Sequence, residues 1–135
     1  QHLWHTVAPA LARGEIVLCD RYVFSTYAYQ GEGRGLPGKF LEEINSYALD
    51  HFMPDVSLFL DIPPALAFDR KHGADENDRM ECAGDGFHAR VYAGYKKLLG
   101  EFPARFVAVD CSGTKFETNA KIAALLEERG LIPRA

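Results

Sequence analysis

Apolar and polar positions along this chain fall into blocks whose period changes several times, and each change marks an element. Leu3, Val7 and Leu11 recur at helical spacing, which predicts an opening helix kinked or restarted at Pro9 and stopped at Gly14. Ile16-Val17-Leu18-Cys19 is a short apolar run between turn signals; its length and its Ile and Val content predict a buried strand. After Asp20-Arg21-Tyr22 comes a short polar-aromatic helix over Phe24 to Gln30. Gly31-Glu32-Gly33-Arg34-Gly35 then predicts a mobile loop before Leu36-Pro37. The clearest amphipathic pattern follows, with Phe40, Leu41, Ile44, Tyr47, Ala48 and His51 on one helix face and Pro54 ending it.

Val56 to Leu60 predicts a second buried strand, closed by Asp61 and by Pro63-Pro64, which opens a helix to about Lys71. From His72 to Gly86 the chain is polar and charged with no apolar period, a surface excursion and candidate lid over residues 70–88. Helical spacing resumes at Phe87, Val91, Tyr95 and Leu98 and breaks at Phe102-Pro103. Arg105 to Asp110 predicts a third strand, and Thr114-x-x-Glu117 is a capping-box signature for a last helix through Leu125 and Leu126, stopped by Gly130. Strands separated by helices predict an α/β fold: a three-layer parallel sheet flanked by helices, with ligands bound beyond the carboxyl ends of the strands. Residues 1–135 are expected to belong to a single domain.

Composition narrows the function classes. At 135 residues, 47% hydrophobic and 25% charged, the chain can bury a core as one ordinary domain. A net charge of −4 without a basic run argues against a partner that is a nucleic-acid polymer, yet leaves room for a small anion held by a few arginines. Cys19, Cys82 and Cys111 show neither disulfide-framework nor zinc spacing, and no apolar stretch suffices to span a membrane, so a cytoplasmic protein is expected. The histidines give no metal-ligand pattern: His2 and His5 share a helix face without a third ligand, and His51 fits a core face. Gln1-His2-Leu3-Trp4-His5 lacks an initiator Met and reads as a helix already under way, so a chain cut in its middle is expected.

Chemistry concentrates at Asp20-Arg21-Tyr22, where a strand end is followed by Ser25, Thr26, Tyr29 and Gln30 on helical turns. An arginine there presents a planar fork of donors suited to phosphate oxygens, and the aspartate can order a magnesium-bound water or hold the arginine. A surface Asp–Arg pair capping the next helix fits the spacing equally well.

The run Leu11-x-x-Gly14-Glu15-Ile16-Val17-Leu18-Cys19-Asp20-Arg21-Tyr22 with Ser25-Thr26-Tyr27-Ala28-Tyr29-Gln30-Gly31 resembles the Asp-Arg-Tyr signature of bacterial thymidylate kinases. Pro54-Asp55, Leu58-Phe59-Leu60-Asp61 and Pro63-Pro64 resemble that family's next strand. Asp78-Arg79-Met80-Glu81, Phe87-His88-x-Arg90 and Gly94-Tyr95 resemble its lid-to-helix segment, so the likeness runs over essentially the whole chain. The resemblance implies transfer of a phosphoryl group from ATP, with Mg2+, to dTMP. Arg21 would contact the thymidylate phosphate near the transferred phosphoryl group, and Asp20 would support the magnesium or the nucleotide-binding network. Ser25, Thr26 and Gln30 would line the nucleotide pocket; Tyr29 would lie against the sugar and disfavour a 2′-hydroxyl, with simple core packing as its other reading. Arg70 and Arg79 are the candidate lid cations, with Lys71 beside them, although His72 and Ala74 stand where arginine-rich lids carry arginines. Glu81 is a candidate for holding magnesium or the monophosphate.

No G-x-x-x-x-G-K-[ST] occurs, and Gly31 to Gly35 follows a helix and lacks the Lys-Ser/Thr pair. The resemblance therefore implies a P-loop NTPase fold truncated before residue 1, without the P-loop strand and its neighbour. In that fold the P-loop strand lies between the predicted strands at Ile16–Cys19 and Val56–Leu60, so a homodimer or a complementing chain is expected to cover the open edge. A truncated non-catalytic nucleotide-binding or interaction module, and a kinase of another deoxynucleotide or deoxynucleoside, remain alternatives at this point.

Overall fold

The computed structural model of the chain describes residues 1–63, 66–67 and 85–134. Among these, β1 (Ser57–Asp61) and β2 (Phe106–Asp110) pair in parallel, in a register that sets Ser57 beside Phe106 and Asp61 beside Asp110. Both fall within a residue of the apolar runs that predict them.

The expected strand at Ile16–Cys19 does not form, and the described sheet has two strands instead of three. Ile16 is 69% exposed and Leu18 is 89% exposed. A strand is held by neighbouring backbone and by something covering its face; β-propensity alone supplies neither. No described strand lies beside this run, so its apolar pattern goes unused.

The helices carry the core. Helix α1 is wound as a π-helix over Leu3–Val7 and as an α-helix over Ala8–Ala12, and the change of winding falls beside Pro9, which has no N–H to donate. Gly14, at φ +76°, then turns the chain out of the helix. Helix α2 begins as Val23–Thr26 and continues in π-winding over Tyr27–Gly33, so part of the stretch expected to be a mobile loop is helical. Packing decided this. A Cβ on Gly33 would meet Phe87 Cε2 at 2.8 Å and Val91 Cγ2 at 2.9 Å, so the glycine lets α2 press against the next long helix.

Helix α3 (Gly38–His51) buries Leu41, while Phe40, Ile44 and Tyr47 of its apolar face are exposed. Helix α4 (Asp85–Glu101) follows the predicted spacing, burying Phe87, Val91 and Leu98, and ends before Phe102-Pro103. With Val23, Phe24 and Ala28 of α2 and Phe106 of β2 these make one cluster. Phe24 stacks on Phe106 at 4.6 Å between ring centroids and meets Phe102 edge-on at 5.2 Å. Helix α5 (Lys115–Glu128) starts at the anticipated capping box: Glu117 N–H donates to Thr114 Oγ1 at 3.2 Å, and Thr114 N–H donates to Glu117 Oε2 at 2.7 Å. Of the helix expected after Pro63-Pro64, the described residues are Pro63, Leu66 and Ala67, the last two helical, with Ala67 N–H donating to the Pro63 carbonyl at 3.0 Å; residues 70–84 of the expected lid lie outside the described residues, and Asp85 to His88 belong to α4.

Candidate functional site

Two carboxylates close the strands, and each is gripped from a helix. Tyr92 donates to Asp61 Oδ1 at 2.8 Å and Lys96 to Asp61 Oδ2 at 2.5 Å, tying the carboxyl end of β1 to α4. Lys121 of α5 donates to Asp110 Oδ2 at 2.7 Å, and Ser112 N–H donates to Oδ1 at 3.0 Å. These bonds, that of Lys121 foremost, hold the Asp110 carboxyl well below the usual carboxylate range. Asp61 raises Lys96 in the same way, and its hydrogen bond raises the Tyr92 phenol.

Arg21 departs from the surrounding backbone. At φ +64° it is the one non-glycine residue at positive φ among the described residues, a conformation that costs about 1–3 kcal/mol and collects at functional sites. Its guanidinium lies over the Tyr29 ring, 4.3 Å from the centroid, and its Nε donates to Ser25 Oγ at 3.4 Å. Ser25 Oγ lies 2.9 Å from the Tyr95 hydroxyl on α4. Burial pushes the Tyr95 phenol up, against the opposing hydrogen bond from Ser25. Asp20 is exposed beside Arg21 and does not cap α2, whose N-cap is Tyr22 with no side-chain cap bond.

A cavity of about 370 Å³ opens beside this turn, lined by Arg21, Ser25, Thr26 and Gln30 and closed from α3 by Asn45 and Ala48. Four residues expected to meet an anion or its nucleotide thus face one hollow. Tyr29 sits below Arg21, between Phe87 at 5.9 Å and Tyr95 at 6.3 Å. Sequence reasoning did not mark Asn45 or Tyr95 as site residues. Asn45 is a polar break in the helical stripe around Leu41 and Ala48, a signal that was present; Tyr95 looked like one more core position. Arg70, Arg79 and Glu81 lie outside the described residues, and among those described no cluster of His, Cys, Asp and Glu is grouped to hold a metal.

The Thymidylate kinase family model matches residues 1–122. The chain belongs to the thymidylate kinase family. It is 46% identical over 99 residues to the thymidylate kinase of Finegoldia magna, a match covering 73% of this chain and 49% of that protein. It is 38% identical over 129 residues to the thymidylate kinase of a Synechococcus strain, covering 96% of this chain and 61% of the relative. Against that of Citrifermentans bemidjiense it is 40% identical over 136 aligned positions, covering 96% and 60%. The chain therefore spans roughly half to three-fifths of the length of these relatives. Thymidylate kinases are nucleoside monophosphate kinases with a P-loop NTPase fold, and the parallel β1–β2 pair with its flanking helices agrees with part of such a fold. Among the described residues no helix is long and apolar enough to cross a membrane.

Proposed function

We propose that the protein carrying this chain transfers the γ-phosphoryl group of ATP to dTMP, giving dTDP, and that these residues supply the acceptor-nucleotide site and lid. The observation that carries this reading is the convergence of Arg21, Ser25, Thr26 and Gln30 on one cavity beside a strained turn. Arg21 offers its fork to the acceptor phosphate. Phosphoryl transfer needs positioning and positive charge more than covalent chemistry from the protein, which is what this turn offers. Ser25, Thr26 and Gln30 orient the nucleotide, and Tyr29 bears on the sugar. The exposed Asp20 carboxylate would help to hold Mg2+, which would neutralise charge on the phosphates of ATP. Glu81 is the second candidate for that role, and Arg70 and Arg79 are the candidate lid cations. Such an enzyme works in the cytoplasm, where its nucleotides are.

A coupled assay tests the reading. The intact protein is expected to phosphorylate dTMP in preference to uridylate and cytidylate derivatives, and residues 1–135 alone are expected to show no turnover. Turnover by these residues alone would overturn the division of labour, and an intact protein inactive on all three acceptors would leave a non-catalytic nucleotide-binding module instead. A preference for another acceptor would reassign the substrate.

The same protein is proposed to be a homodimer through α1 and α3. Trp4 (60% exposed), Ile44 (58%) and Tyr47 (43%) form a joined apolar face, with Trp4 and Tyr47 rings 6.1 Å apart. Sedimentation of the intact protein is expected to give a dimer, and Ile44→Glu a monomer; a monomeric parent would sink the proposal.

A further inference from the structure

We propose that Tyr95 is a positioning residue for Arg21, acting through Ser25, so that the two strands set the direction of the phosphate-facing guanidinium. The inference rests on the reading of Arg21 given above and assigns a role to a residue that otherwise counts only as packing. The Tyr95 ring is fixed on several sides: it stacks on Phe59 of β1 at 4.9 Å and 20°, and on Phe106 of β2 at 6.0 Å and 29°. Its edge meets Tyr29 at 6.3 Å and 79°. A ring so held leaves its hydroxyl only rotation about the C–O bond.

That hydroxyl lies 2.9 Å from Ser25 Oγ, which in turn lies 3.4 Å from Arg21 Nε. A serine hydroxyl has one proton and two acceptor lone pairs, and alone it would sample three staggered rotamers. The bond to Tyr95 selects the one that faces Arg21. On its other side Arg21 rests on the Tyr29 ring at 4.3 Å. A long side chain leaving a backbone at φ +64° is thereby held between a hydroxyl and an aromatic face, both braced by Tyr95. What Tyr95 supplies is direction, not charge. Its loss therefore bears on the transition state, where the fork must meet the migrating group, more than on ground-state binding.

Tyr95→Phe keeps every ring contact and removes only the hydroxyl. In the intact protein it is expected to lower kcat for dTMP about tenfold while KM for dTMP stays within about twofold. Ser25→Ala should produce a similar loss, and the double variant should be no worse than Ser25→Ala alone, because both changes cut one relay. Unchanged kcat in Tyr95→Phe, or losses that multiply in the double variant, overturns the proposal; the second criterion holds even if Tyr95→Phe is less stable. Arg21→Lys separates the two levels. If it is impaired while Tyr95→Phe is not, the relay alone fails. If Arg21→Lys turns over normally, the reading of Arg21 fails and the relay falls with it.

Discussion

Arg21→Lys in the intact protein is expected to lower kcat for dTMP phosphorylation by about 100-fold or more, in line with the 10²–10³ lost when one preorganised donor is removed from a developing charge. Lysine keeps the positive charge, so the loss would measure the planar fork. Lysine has no planar guanidinium to stack on Tyr29 while an Nε–H donates to Ser25, so it would not make the two contacts of Arg21 together. The residue is exposed, so the fold should survive: the thermal midpoint is expected within a few degrees of the parent, as for surface substitutions within about 0.5 kcal/mol. Steady-state kinetics with dTMP varied at saturating ATP checks this, and a loss below threefold would remove Arg21 from the phosphate site.

Phe24→Ala is expected to destabilise the folded state by about 3–5 kcal/mol, the range for truncating a buried aromatic residue. Phe24 is 4% exposed and lies between Phe106 of β2 and Phe102 just after α4, so its ring joins the sheet to both helices of the core. Against a total stability of about 5–15 kcal/mol, that loss is a large fraction. Urea unfolding of the intact protein reads it as a lower midpoint. Phe116→Ala is the contrast: that ring is 76% exposed, and its removal should change stability by no more than about 0.5 kcal/mol. Equal effects of the two would mean that the Phe24 cluster is not what holds α2, α4 and β2 together.

The elements that could be read from the chain are those whose pattern and partners lie close together. Helix α4 keeps its stripe of Phe87, Val91 and Leu98 because the spacing is periodic and long. The start of α5 is written in Thr114 and Glu117, which satisfy each other locally. Strands β1 and β2 appeared as apolar runs at nearly their true limits. Ile16–Cys19 has the same kind of run and stays unpaired, because a strand depends on a neighbour that its own residues cannot specify. Gly31 to Gly33 reads as loop by propensity and is helical because close approach to Phe87 and Val91 outweighs the entropy cost of glycine. On α3 the period is legible in the sequence while what covers each position is not: Leu41 is buried, and Phe40, Ile44 and Tyr47 are exposed.

The same division runs through the candidate site. Asp20-Arg21-Tyr22 and the polar residues after it marked a candidate site in the sequence, and Arg21, Ser25, Thr26 and Gln30 do line one cavity, because the turn and the helix after it bring them to one side. The family is legible because its motifs are short and contiguous. The positive φ of Arg21, the aromatic face beneath its guanidinium and the closing of the cavity by Asn45 were decided by tertiary structure. So was the link from Ser25 to a tyrosine 70 positions away. Local sequence carries what neighbouring residues do to one another; the direction of a single hydroxyl depends on how α4 and two strands pack, and only the folded chain brings them together.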